Sequence, residues 1–460
     1  MADHPNIIVI MTDQQRADLS AREGFPLDTT PFLDSLARQG IWFNRAYTSV
    51  PVCAPARVSM LTGRFPTAHR VRENYGLDQA VYEQDLFDVM RAHGYATALV
   101  GKNHSHVLPE RVDFYSEYWH DGIRCEARSP QEKAFDEWLV ALHHRVSLEP
   151  TPFPLETQLP CRIVGQAQEW IRSLGGRPFC LWLSFPEPHN PYQAPEPYYS
   201  LFPPEKLPPV QVGEEALPGK GFKWQYLRQI GEAAHPEYGD SISRARSNYL
   251  GMLRLLDDQV RRFVQFLEAE GLRENTLLVF VSDHGDFVGE YGLMRKGAEM
   301  PEVLMRVPLL FAGPGIRANA APHNAHVSLV DLLPTLCEAA GVQSPLGVQG
   351  RSLAPLLMGN DYPDEEFASV YAEQGIGGLH YTPDDVAVTR PGLYEGETYR
   401  AFDELNACTQ SGSMRMVRRG DWKLVLDMQG RGQLYNSPPT RWSSKTCSAM
   451  SDTSPSKARC

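Results

Sequence analysis

The chain has 460 residues, 42% of them hydrophobic and 22% charged, with a formal net charge of −12. This is the composition of a globular protein long enough for one large core and a smaller second unit. The acidity argues against a general nucleic-acid or anionic-membrane surface, so an anionic substrate would need a local positive pocket.

The start, Met1-Ala2-Asp3-His4-Pro5, has no basic n-region and no small-residue cleavage site, so no secretory signal is expected. No apolar run approaches membrane-spanning length, and no membrane partner is expected. The eight cysteines (53, 125, 161, 180, 337, 408, 447, 460) form no Cys-x-x-Cys pair, which disfavours a zinc ribbon or redox motif and fits a reducing cytoplasm.

Asn6-Ile7-Ile8-Val9-Ile10-Met11 is a continuous apolar run, the pattern of a strand buried on both faces in a parallel sheet, and it stops at Thr12-Asp13-Gln14. Thr29-Thr30-Pro31 caps a helix through Arg38, closed by Gly40. In Val52-Cys53-Ala54-Pro55-Ala56-Arg57, Pro55 suits a first helical turn, which places Cys53 at a helix N-terminus and Arg57 one turn on. Such a position favours an anion or a nucleophile of lowered pKa. The plainer alternative is a structural cysteine ahead of an ordinary surface helix.

Residues 85–92 predict a helix and Tyr95–Val100 a second buried strand, followed by Lys102-Asn103-His104. Helical spacing covers 130–145 and 161–174, and Phe179–Phe185 is a third strand leading to Pro188-His189-Asn190-Pro191. Residues 191–238 are rich in Pro, Tyr and Gly with little periodicity, which predicts a pocket wall or lid rather than a packed element. A long amphipathic helix follows over 240–270, then a strand over 276–281 ending at Ser282-Asp283-His284-Gly285, a strand over 308–312 and a helix over 328–340. Strands alternating with helices imply an α/β fold, a mostly parallel sheet sandwiched between helices, with ligands at the carboxyl ends of strands. The expected division is a catalytic domain over 1–360, then a small C-terminal α+β subdomain over 361–435 containing an antiparallel sheet, with a hairpin of 414–419 and 422–426. The Ser-, Thr-, Pro- and Lys-rich stretch 436–460 is expected to be disordered.

Asp13, Gln14, Asp283 and His284 bring oxygen donors and one imidazole from two distant strand ends, a set suited to Ca²⁺ or Mg²⁺ that also admits Mn²⁺. Lys102, His104, His189 and Lys296 add cationic donors to the same rim. Taken singly, an Asp after a strand is a common helix cap and a lone His or Lys a common surface group. Positive charge gathered around one metal and one helix N-terminus is what stabilising a transferred anionic group requires.

These residues carry a resemblance. Cys53-x-Pro55-x-Arg57-x-x-x-Leu61-Thr62-Gly63-Arg64 resembles the sulfatase signature of the alkaline-phosphatase-like superfamily, and Asp283-His284-Gly285 with Gly289, Gly292 and Lys296 resembles its second block. Lys102-x-His104 and Pro188-His189-x-Pro191 match two smaller ones, and the likeness runs from Asn6 to about Tyr435. The resemblance implies that a formylglycine-generating enzyme oxidises Cys53 to formylglycine, present as its hydrate. One hydroxyl would attack sulfur and displace the alcohol, and the other would expel sulfate and restore the aldehyde. It further implies one divalent cation, Ca²⁺ before Mn²⁺ or Mg²⁺, held by Asp13, Gln14, Cys53, Asp283 and His284. Arg57 and Lys102 would steady the hydrate, His104 would act as base, and His189 with Lys296 would bind sulfate and protonate the leaving oxygen.

Two departures stand out. Gln14 replaces a frequent Asp and His284 a frequent Asn, a combination also seen in relatives that hydrolyse phosphonate monoesters and phosphodiesters; after Tyr435 the chain continues Asn436-Ser437-Pro438-Pro439, not the usual acidic segment. The expected activity is cytoplasmic hydrolysis of a small-molecule or saccharide sulfate ester. The alternatives are a phosphonate monoester or phosphodiester hydrolase and a silent binder of sulfated ligands. Arg72, Asn74, Tyr192, His380 and Tyr381 are candidates for a pocket wall.

Overall fold

The apolar run at the start forms β1 (Asn6–Asp13), a strand whose eight residues are all buried. In the computed structural model, residues 4–123, 128–235, 237–385 and 407–436 are described. Cys125, Cys447, Cys460 and the expected tail from 437 onward lie outside them.

The next strands are β2 (Ile41–Trp42), β3 (Ala46–Tyr47), β4 (Ala96–Gly101), β5 (Phe114–Trp119) and β6 (Gly122–Ile123). They are followed by β7 (Phe179–Pro188), β8 (Thr276–Ser282), β9 (Leu309–Ala312) and β10 (Val327–Ser328). The main sheet has eight strands in the order β2-β9-β8-β1-β7-β4-β5-β6, while β3 and β10 form a separate pair. Strands β8, β1, β7, β4 and β5 run parallel, so their carboxyl ends share one edge. Two outer strands break that rule: β9 runs antiparallel to both β8 and β2, and β6 antiparallel to β5, so β2 returns to the common direction.

The continuous apolar reading of β1 has a direct cause. Ile7, Val9 and Met11 face one hydrophobic layer with the helices Cys53–Thr62, Leu86–Ala92 and Leu332–Ala339. Ile8 and Ile10 face a second, with the helices Pro31–Arg38, Leu159–Ser173 and Tyr238–Ala269. Side chains alternate between faces, so only a strand covered on both sides is apolar throughout. Among the described residues no helix is long and apolar enough to cross a membrane.

Two expectations are corrected. Residues 191–238 are not simply a wall: Phe222–Ala234 is a helix whose Trp224, Leu227 and Ile230 pack with Phe287 and Leu293. These apolar residues recur every three positions, a signal obscured by the Pro- and Gly-rich sequence before them. The predicted tail boundary also moves, because Asn436 pairs with Trp422 in the last strand. In addition, the helix read over 130–145 stops at Ala141, and His143 and His144 take positive φ values of 48° and 57°.

The predicted hairpin belongs to a four-stranded antiparallel sheet of β11 (Ser369–Gly377), β12 (Gly412–Arg419), β13 (Trp422–Asp427) and β14 (Gly432–Asn436). Its Val370, Ala372, Met414, Met416 and Val425 pack on Tyr47, Met300 and Met305. Glu302 pins the contact, accepting from Tyr47 Oη at 2.7 Å, Arg418 Nη1 at 3.0 Å and Lys423 Nζ at 3.2 Å. Burial alone would raise the Glu302 carboxyl, but Arg418 and Lys423 outweigh it and hold it at about 2.

A depressed carboxylate stabilises the fold above its unfolded pKa and loses that contribution as pH falls through its folded one. Glu302→Gln should therefore cost roughly 1–2 kcal/mol at pH 7, a figure reduced for solvent screening of a side chain about a third exposed. In urea unfolding, the gap from the unaltered protein should narrow as pH falls from about 4.5 toward 2; a pH-independent gap would count against this role.

Candidate active site

Four neighbouring parallel strands deliver the predicted residues to one edge. Asp13 and Gln14 come from the end of β1, Lys102 and His104 from just after β4, His189 from just after β7, and Asp283 and His284 from just after β8. Gln14 adopts a left-handed φ of 71°, and its backbone N–H donates to Asp283 Oδ1 at 2.9 Å, locking the ends of β1 and β8 together.

The helix beginning at Cys53 is buried along its whole length to Thr62, unlike an ordinary surface helix. In its first turn the Ala54 N–H donates to Asn74 Oδ1 at 3.1 Å, and Pro55 has no N–H to satisfy. Cys53 Sγ lies 3.1 Å from His284 Nε2 and 3.7 Å from Asp13 Oδ1. Burial and Asp13 push this thiol up, but Lys102, Lys296 and His284 outweigh them and hold it well below its ordinary value.

One turn on, Arg57 is fully buried, and each of its three guanidinium nitrogens has a partner. It donates to Asp283 Oδ2 at 2.9 Å, Asp13 Oδ2 at 3.2 Å, Lys102 O at 2.8 Å, Asn103 O at 3.3 Å and Ser184 Oγ at 3.0 Å. Burial alone would raise the Asp13 carboxyl, yet Lys102 and Arg57 hold it well below the usual carboxylate range.

The lysines are anchored by consecutive residues. Lys102 Nζ donates to Asp13 Oδ2 and contacts His120 Nε2 at 2.7 Å, while Lys296 Nζ donates to Gln14 Oε1 at 2.7 Å and contacts His189 Nε2 at 3.0 Å. The His120 and His189 rings stack with centroids 3.8 Å apart. Burial, together with the nearby cations, pushes both imidazoles well below their ordinary value, leaving neutral rings able to accept. His104 is only partly covered, and burial lowers its imidazole as well.

The donor set fits a hard divalent cation. Ligand atoms of Asp13, Cys53, Asp283 and His284 all lie within 4.8 Å of one another. His284 Nδ1 bonds Gly285 O at 2.8 Å and turns Nε2 toward the two carboxylates, 3.7 and 3.8 Å away. Burial would lower this imidazole, but Asp283 and Cys53 hold it above its ordinary value, so a bound cation would take the place of the proton on Nε2. Asp13 Oδ1 lies 3.7 Å from both Cys53 Sγ and His284 Nε2, so a cation among them would replace the thiol's weak donation to the carboxylate. Gln14 is brought to the same place, but its Oε1 already accepts from Lys296 and its Nε2 donates to Asp286.

Sequence reasoning missed His120, Ser184 and Asp286. Asp286 directly follows Asp283-His284-Gly285 and accepts from the Tyr192 hydroxyl at 2.8 Å, so that run held a signal for it. His120 and Ser184 lie in no recognised pattern. Of the proposed pocket wall, Asn74 touches the Cys53 helix, whereas Tyr192 is fully buried behind the site. Arg72 lines a crevice with Glu373 and Gln374, and Tyr381 packs near Trp224 with its N–H on Ser411 Oγ.

The sulfatase family model matches residues 5–342. The chain belongs to the sulfatase family. A curated relative, the arylsulfatase of Clostridium perfringens (strain 13 / Type A), is 32% identical over 382 residues, covering 77% of this chain and 78% of its own. A multifunctional alkaline phosphatase superfamily protein of Trinickia caryophylli is 28% identical, with 86% of each chain covered. The crystal structure of the phosphonate monoester hydrolase of Agrobacterium radiobacter shares the fold, with a TM-score of 0.74 at 23% identity over 95% of this chain and 90% of that one. The sulfatase match includes the whole strand-end constellation from Asp13 to Lys296.

Removing Arg57 would strand two buried carboxylates. Arg57→Ala is expected to cost about 3–5 kcal/mol in urea denaturation, and Arg57→Lys should recover only part, because an ammonium cannot span both acids. A loss under about 1 kcal/mol would show that the pair is solvated instead.

Proposed function

We propose that this protein hydrolyses a sulfate monoester of a small molecule or saccharide, with formylglycine made from Cys53 as nucleophile and one divalent cation. The observation that carries the reading is the setting of Cys53: at the start of a buried helix, 3.1 Å from His284, beside two carboxylates and within the field of Lys102 and Lys296. The arylsulfatase relative supports the same class of ester.

In this reading Sγ marks where a hydrate oxygen would stand. Asp13, Asp283 and His284, with the nucleophile and the second lone pair of Gln14 Oε1, would hold the cation, Ca²⁺ in preference to Mn²⁺ or Mg²⁺. The cation would supply Lewis acidity toward the ester and the nucleophile. Arg57 acts from behind by fixing both carboxylates. Lys102 presents positive charge to the anionic group, and neutral His104 is placed to take the hydrate proton that sulfate expulsion requires. Lys296 carries the proton and His189 accepts its hydrogen bond, so the pair can donate to the departing alcohol oxygen.

The modifying enzyme would have to act before the domain closes, since Cys53, Pro55 and Arg57 are all buried. We place the protein in the cytoplasm, a reading supported by the free thiols of neighbouring Cys180 and Cys337. A second reading, phosphonate monoester or phosphodiester hydrolysis at the same site, is favoured by Gln14 and His284.

The tryptic peptide Ala46 to Arg57 from native cells should carry formylglycine by mass spectrometry; only intact Cys53 would point to a silent binder. On matched aryl sulfate, phosphodiester and phosphonate esters, kcat/KM should favour sulfate, and a preference for phosphorus by several orders of magnitude would overturn that choice. Cys53→Ala should abolish turnover with the fold intact. Ca²⁺ should raise the melting temperature, and Asp13→Ala together with Asp283→Ala should erase that shift; an unchanged shift would place the ion elsewhere.

A further inference from the structure

The two lysines are held alike, and one of the residues holding them belongs to no motif. Lys102 lies between Asp13 and His120, and Lys296 lies between Gln14 and His189. An ammonium has three N–H donors and no acceptor. Among the described residues two are used in each case, which leaves one on each lysine. The imidazoles are stacked 18° from parallel, which couples the two lysine mounts to each other. His120 occupies the turn between β5 and β6 at the far edge of the main sheet, and the stack ties that edge to the residue that follows β7.

We propose that His120 is a positioning residue: by accepting from Lys102 and stacking on His189, it aims the remaining Lys102 N–H at the tetrahedral oxyanion bound over Cys53. The inference rests on the ester-hydrolase reading above for its turnover test but not for its binding test. Without His120, the Lys102 ammonium keeps only Asp13 and swings freely about it. The charge stays in the site while its direction is lost, which impairs the transition state more than the ground state.

The test is a double-mutant cycle on the full chain with His120→Ala, Lys102→Ala and the pair, read in two ways. With an aryl sulfate, His120→Ala should lower kcat by about 10- to 100-fold with KM changed less than about threefold. The pair should be no worse than Lys102→Ala by more than about threefold. Inorganic sulfate affinity by calorimetry should show the same non-additivity. His120→Gln, which retains an acceptor, should stay within about threefold of the unaltered protein. Should His120→Ala fail to fold, His120→Leu replaces it: loss in Leu with retention in Gln is the same result. Additive effects in both readouts, or full activity in the Ala or Leu variant, would overturn the assignment. If the unaltered, formylglycine-bearing protein turns over neither sulfate nor phosphonate ester while sulfate binding stays non-additive, the proposed function fails and the role of His120 stands.

Discussion

Everything at this site depends on one buried guanidinium. Arg57 contacts groups at the ends of four adjacent strands: Asp13 of β1, Lys102 and Asn103 after β4, Ser184 of β7 and Asp283 after β8. A lysine could not do this, because only a planar fork offers five donors in fixed directions. Because Arg57 sits one turn from Cys53, the bonds that gather the strand ends also set the depth and rotation of the helix carrying Cys53. The cost of burying an arginine is met by two carboxylates and three further oxygens, none of which needs water. Geometry and charge at the site are thus one constraint.

That dependence explains what the sequence could and could not reveal. The central strands were readable because β1, β7 and β8 are covered on both faces, which forces unbroken apolar runs. The site residues directly following those strands were readable for the same reason. The edge strand Phe114–Trp119 carries Ser116 and Glu117 and is only half-buried, so it gave no such signal, and the short β2 and β6 gave none. The helix Phe222–Ala234 was obscured by its flanking prolines and glycines. His120 could not be found from sequence, because its place follows from how the sheet-edge turn returns over the site.

Roles assigned by motif also change meaning once partners are seen. Arg57 donates to five protein oxygens, so it bears on Cys53 through Asp13, Asp283 and the helix as well as through its own charge. Tyr192, read as a possible wall, is a buried support: its hydroxyl donates to Asp286, which accepts from the Gln14 amide, which anchors Lys296. A residue can thus matter to the site without facing the substrate.

The two lysine mounts differ in the charge of what they rest on. Lys102 rests on Asp13, a carboxylate, so much of its charge is neutralised within the protein. Lys296 rests on Gln14, a neutral amide, and its other partner, His189, is an uncharged imidazole. The Lys296 ammonium therefore keeps more of its charge than the Lys102 ammonium. A divalent cation held between Asp13 and Asp283 would add its own charge to theirs, so the field an anionic group would meet over Cys53 is set by the ion together with both mounts, and the lysines alone do not rank one ester above another.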